Sequence, residues 1–166
     1  MSKFTTYPIG SPYKKISTAT AGSAVSTIGI QLLNSLLIPA NTFTTDDIIT
    51  VEGGVSKSNT LGTMTLYLYW NTSASLSGAI QIGVSSAFAS GARYVIIFRR
   101  MNIRSSTNNT IVAPSAVALN QDPNRGTGTM STLDINWTNA GYLILAADHT
   151  SASESVTGEW LRVGNY

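Results

Sequence analysis

The sequence predicts an all-β domain, and three observations carry that prediction. Apolar and polar residues alternate with a period of two in TLYLYW at 65–70, ARYVIIF at 92–98, LDINW at 133–137 and GYLILAA at 141–147. Ser, Thr, Asn and Gly break these runs at short intervals, as turns between strands require. No stretch keeps the 3.6-residue spacing of an amphipathic helix, although SAFAS near Ala87 and SAVAL near Val117 could each form one short turn.

The expected strands lie near 23–29, 31–38, 47–57, 62–71, 77–87, 92–104, 109–113, 131–137, 141–148 and 155–163. Pro39 ends the second of these by removing a ladder donor. Asn41 offers a side-chain hydrogen bond to close the turn that follows, and Phe43 can fold back onto the sheet edge. Asp46 and Asp47 make a charged corner before Ile48 restarts the alternation, and Gly53 with Gly54 suggests a bulge or bend. Residues 113–130, with Pro114, Pro123, Gly126 and Gly128, form the one long irregular connection.

So many short strands with long crossing connections predict a two-sheet antiparallel β-sandwich of jelly-roll or Greek-key type, ahead of a closed up-and-down barrel. Alternation assigns Leu66, Leu68, Trp70, Val95, Ile97, Leu133, Ile135, Trp137, Leu143 and Leu145 to the interior. It places Tyr67, Tyr69, Tyr94 and Phe98 on the opposite faces, where aromatic side chains call for cover, most simply from another subunit.

Size and composition set the outer limits. At 166 residues the chain makes one domain (23–166), preceded by a compositionally distinct arm (1–22) in which Pro8, Gly10 and Pro12 interrupt regular structure. Phe4, Tyr7 and Tyr13 give that arm adhesive side chains, so it is expected either as a loose tail or as an arm laid across a partner. Charged residues make up 11% of the chain, against roughly 25% in ordinary soluble domains, while Ser and Thr supply about a quarter. A surface of hydroxyls does little to repel a neighbouring copy, so association with other chains is expected.

The same composition excludes whole classes of chemistry. With no cysteine there is no disulfide, thiolate metal site or thiol nucleophile. The net charge is only +2 and the basic residues are scattered, and Arg99 and Arg100 must point to opposite faces of their strand, so no nucleic-acid groove is expected. No run reaches the roughly 20 apolar residues of a membrane helix, and MSKFTTYPIGSPYKK has no apolar core of a secretory signal, so folding in a cytoplasm without glycosylation at Asn71, Asn108 or Asn136 is expected.

Site chemistry is sparse as well. The single histidine, His149, follows GYLILAAD and is expected on the surface, with Asp148 on the opposite face. The eight acidic residues are dispersed, and no pair stands out as the two carboxylates of a glycosidase. Asp46 with Asp47, and Asp122 with Asn124, are explained by turn formation without a calcium ion. Neither catalysis nor a cofactor is expected. Tyr67, Tyr69, Tyr94 and Trp160, together with Trp70, are the candidates for stacking on sugar rings.

The segment IPANTFTTDDIITVEGGVSKSNTLGTMTLYLYW at 38–70 resembles small structural proteins of tailed bacteriophages. ARYVIIFRRMNIRS at 92–105 resembles their long central strand, LDINW a late core strand, and SVTGEWLRV at 155–163 the terminal strand. The resemblance covers about 23–163 and implies a non-enzymatic jelly-roll module of the virion, commonly homotrimeric, serving as capsid decoration, head fibre or tail-fibre part. It implies capsid or tail subunits as partners, attachment through Phe4, Tyr7 and Tyr13, and an exposed tip at Asp122, Asn124 and Arg125. The alternative is a carbohydrate-binding receptor adhesin of a tail fibre, with a host surface glycan as partner.

Overall fold

The structure, a computed structural model, describes residues 15–18, 21–112 and 131–165. Its strands are β1 (Lys15–Thr18), β2 (Gly29–Ile38), β3 (Ile48–Lys57), β4 (Met64–Asn71), β5 (Ile80–Val84), β6 (Tyr94–Ser105), β7 (Asn109–Val112), β8 (Ser131–Leu133), β9 (Gly141–His149) and β10 (Val156–Asn165). Two antiparallel sheets pack face to face as a β-sandwich. Sheet A has the order β1-β10-β3-β6-β7-β8, and sheet B the order β2-β9-β4-β5. The chain passes repeatedly from one sheet to the other, so most strand neighbours are distant in sequence.

Alternation does what it predicts along β4, where Met64, Leu66, Leu68 and Trp70 are buried and the residues between them are half-buried. Strand β6 repeats the pattern: Val95, Ile97, Arg99, Met101 and Ile103 point inward, and Arg100 is exposed on the other face. Leu143, Leu145, Ile135 and Trp137 are fully buried, while Leu133 is partly buried against the same core. At roughly 1.5–3 kcal/mol for each large apolar side chain, this shared interior is the main source of stability in a chain without disulfides.

Several expected elements differ. No strand covers 23–29; Val25 makes an isolated bridge to Val156, and β2 begins only at Gly29, which adopts φ 104°. Conversely, Lys15–Thr18 lies within the expected arm yet adds a strand to the edge of β10, with Ile16 opposite Val163. Alternating KIST suits that unpaired edge better than it suits an irregular tail. Near Gly53 and Gly54 the extra residue falls on the partner strand: register shifts between Gly158 and Trp160.

The expected strand over 131–137 stops at Leu133 because the next residues leave the ladder to seal one end of the sandwich. Trp137 donates its backbone N–H to Ser106 O at 2.7 Å and its indole N–H to Thr110 Oγ1 at 2.7 Å, while its own carbonyl accepts from Asn41 N at 3.0 Å. Phe43 meets Trp137 edge-on at 5.6 Å, and Trp70 lies 4.5 Å from it on the other side. Phe43 therefore enters the core at 1% exposure and does not lie on the sheet edge. The turn leading to it is closed by Thr42, whose hydroxyl donates to Pro39 O at 2.7 Å, while Asn41 contributes a left-handed backbone at φ 58°. The corner beyond reads as expected, with Asp47 Oδ2 accepting from Thr44 N at 2.8 Å.

Gly141 is the close approach that lets Trp70 reach this cluster: a Cβ there would sit 2.4 Å from Trp70 Cζ2 and 2.9 Å from Asn71 O. Replacing Gly141 by Ala should cost about 1–3 kcal/mol by overpacking. Gly91→Ala, whose Cβ would meet nothing within 4 Å, is the control expected to stay near wild type. Urea titrations of the two variants followed by tryptophan emission give the comparison.

Candidate functional site on the outer sheet faces

The four aromatic residues singled out for sugar stacking separate into two pairs on opposite sides of the molecule. Tyr67 and Tyr69 lie on the outer face of sheet B, and Tyr94 and Trp160 on the outer face of sheet A. Trp70, by contrast, is 3% exposed and belongs to the core. Phe4, Tyr7 and Tyr13, and the tip residues Asp122, Asn124 and Arg125, lie outside the described residues.

On sheet A the strands bring Trp160 and Tyr94 together across Gly54. Gly54 stands opposite Trp160 on one side and Ile96 on the other. With no side chain there, the indole lies across the strand and donates to Tyr94 Oη at 3.0 Å. The Arg162 guanidinium sits 5.2 Å from the Trp160 ring centroid and pairs with Glu52. The bulge at Gly158 adds Glu159, whose carboxylate accepts from the Ser56 hydroxyl. Tyr94 and Ile96 stay more than half exposed, at 54% and 57%, beside half-buried Phe98. The result is an aromatic surface held in place by its own polar contacts.

The outer face of sheet B is different because it has almost no charge. Strands β2, β4, β5 and β9 contain no Lys, Arg or Glu, and Asp148 is their one carboxylate. Along the middle of this face run Tyr142, Ile144 and Ala146 of β9, flanked by Leu37, Ser35 and Leu32 of β2 and by Asn71, Tyr69 and Tyr67 of β4. Ile144 and Ala146 are fully buried although they point away from the inter-sheet core. Tyr67 and Tyr69 stack at 5.9 Å with an interplanar angle of 12°. Burial, and then the neighbouring Tyr67, raises the Tyr69 hydroxyl above its ordinary range, so it remains a neutral phenol. Leu37 and Ile30 are 49% and 43% exposed at the rim.

Two buried polar features, an ion pair not anticipated from the sequence and the histidine expected on the surface, lie at the end of the sandwich where β4 begins and β9 ends. Lys57 Nζ pairs with Glu154 Oε1 at 3.3 Å, both side chains fully inaccessible. The ammonium also donates to Gly62 O at 2.5 Å and Ser90 O at 3.0 Å, while Glu154 Oε2 accepts from Gly62 N at 3.1 Å. One ion pair thus ties together the loops after β3, after β5 and after β9. Its sequence signal was the phase of β3, which puts Lys57 inward with Ile49, Val51 and Val55.

His149, expected on the surface, is instead fully buried, because β9 keeps its alternation through Leu143, Leu145 and Ala147 to its last residue. Neither ring nitrogen has a hydrogen-bond partner among the described residues. Arg99 is also interior, and loss of solvent pushes its guanidinium below the usual range. Among the described residues no three His, Asp or Glu side chains are grouped so as to hold a metal ion. No helix among them is long and apolar enough to cross a membrane.

No family model, curated protein or solved structure matches the chain.

Truncating one partner of the buried pair leaves the other charge uncompensated, so Lys57→Met should cost about 3–5 kcal/mol, whereas Lys57→Met with Glu154→Leu should recover most of that loss. Thermal melts of the single and double variants measure the difference. On sheet A, Gly54→Ala places a Cβ 2.3 Å from Trp160 Nε1 and 2.7 Å from Tyr94 Oη. It should expel the indole, seen as a red shift in tryptophan emission, with a loss of about 1–3 kcal/mol.

Proposed function

We propose that this chain is a non-enzymatic structural module of a bacteriophage virion, a jelly roll that assembles with copies of itself through the outer face of sheet B. The observation that carries the self-assembly is the absence of Lys, Arg and Glu from that whole sheet, together with half-exposed Leu37 and Ile30 beside two stacked tyrosines. A wet surface of this kind is unfavourable on a free chain and favourable between subunits. Closed symmetry disposes of such a patch without leaving an open copy, and a homotrimer is the arrangement the resemblance implies.

Strand order supports the jelly-roll reading. The series β1-β10-β3-β6 facing β2-β9-β4-β5 is that of two interleaved Greek keys, with β7 and β8 extending one sheet edge. The phage assignment rests on the sequence resemblance over 23–163. In this reading the segment with Phe4, Tyr7 and Tyr13 attaches the module to capsid or tail subunits, and the loop with Asp122, Asn124 and Arg125 forms the displayed tip.

Sedimentation velocity tests the assembly. The wild-type chain should sediment as an oligomer, and Leu37→Lys with Tyr69→Lys should give monomers whose far-ultraviolet circular dichroism is unchanged. A wild-type chain that sediments as a monomer at high micromolar concentration sinks the self-assembly reading. Antibody labelling of purified phage particles tests the location, and particles that carry none of the chain sink that part.

A further inference from the structure

At the end of the sandwich opposite the buried ion pair, a cleft of about 240 Å³ opens between the end of sheet B and the segment that follows β8. One wall is the end of β4 and the turn into β5, with Trp70, Asn71, Thr72, Gly78 and Ile80; the other is Asp134, Asn136 and Asn139, on the segment that leaves β8. The geometry points to this cleft as a binding site for a neutral saccharide, one or two rings in size.

Both walls are fixed before any ligand arrives. Asn71 Nδ2 donates to Ser75 O at 2.7 Å and Ser77 O at 2.9 Å, and its Oδ1 accepts from Thr72 N at 2.8 Å, which sets the turn. The facing wall is held by the three hydrogen bonds of Trp137 and by Asn136 Oδ1, which accepts from Thr138 N at 3.0 Å and Thr138 Oγ1 at 2.6 Å. Gly78, at φ 73°, has nothing within 4 Å of where a Cβ would be, so the turn backbone leaves the cleft open. Walls that are already ordered spare a ligand the cost of ordering them.

What remains free suits a polyol. Among the described residues, the Asp134 carboxylate, the Asn139 amide, the Asn136 Nδ2 and the Thr72 hydroxyl make no hydrogen bond within the protein. A carboxylate accepts from two adjacent hydroxyls, amide N–H groups donate to ring or hydroxyl oxygens, and Ile80, backed by the buried Trp70, meets C–H groups. The lining has no Lys or Arg, so phosphate, sulfate, uronate and sialate lack a counter-charge. One carboxylate alone does not make a metal site. The volume lies below the roughly 300–1,000 Å³ of pockets for larger ligands, which sets the one-to-two-ring limit.

The cleft shares Asn71 alone with the outer face of sheet B and nothing with that of sheet A, and the variants below leave the outer face of sheet B untouched, so the site is tested independently of the assembly proposed above. The test is ¹H–¹⁵N correlation spectroscopy of the full chain, titrated with methyl glycosides of glucose, galactose, mannose and N-acetylglucosamine, and with glucuronate and glucosamine as charged counterparts. At least one neutral glycoside should shift the signals of Asn71, Asn136, Asn139 and the Trp70 indole saturably. Asp134→Ala and Asn139→Ala, both exposed and outside the core, should each weaken that binding about tenfold, and Trp160→Ala should leave it intact. The proposal is overturned by no saturable shift with any neutral glycoside beyond the millimolar range, by preference for a charged sugar, or by binding that survives the cleft variants and is lost in Trp160→Ala.

Discussion

Strand β9 governs the rest of the molecule. It lies between β2 and β4 in sheet B and is buried on both of its faces, with Leu143, Leu145, Ala147 and His149 toward the core and Ile144 and Ala146 away from it. A strand buried on both sides is a continuous apolar run, and GYLILAA is one. Its inner face demands the opposing sheet. Its outer face demands flanking side chains wide enough to shield it, which is where Tyr67 and Tyr69 come in.

The two sheets meet that demand with opposite surface chemistries. Sheet A balances its exposed aromatic residues with charge, pairing Arg162 with Glu52 beside Trp160 and leaving Arg100 in solvent. Sheet B presents tyrosine and aliphatic side chains with hardly any charge among them. The ends differ as well: one is closed by a buried ion pair and the other by three aromatic rings. Each closure brings together loops far apart in sequence, so the molecule is stapled at its ends as well as packed through its middle.

The fold was legible wherever one strand face is buried and the other is not. The phase of β4 and β6 told inside from outside residue by residue, including the opposite directions of Arg99 and Arg100. It was illegible where tertiary partners override local pattern. LDINW alternates as a strand should, yet Trp137 is worth more as a plug than as a rung of the ladder. His149 was expected on the surface because of its residue type and Lys57 drew no reading at all, although strand phase places both inside. The cleft was the least legible feature, because Asp134, Asn136 and Asn139 face Asn71 only after a segment that left one sheet has met a turn from the other.

The strand order also constrains the chain's birth. Sheet B has β9 between β2 and β4, and sheet A has β10 between β1 and β3, so each sheet lacks an internal strand until β9 and β10 are made. Strands β2, β3 and β4 are synthesised before any strand with which they pair. Closure across such sequence distances is slow, and the interval exposes unpaired edges of apolar strands. Synthesis of this protein is therefore a race between completion of β9 and β10 and adhesion of nascent chains.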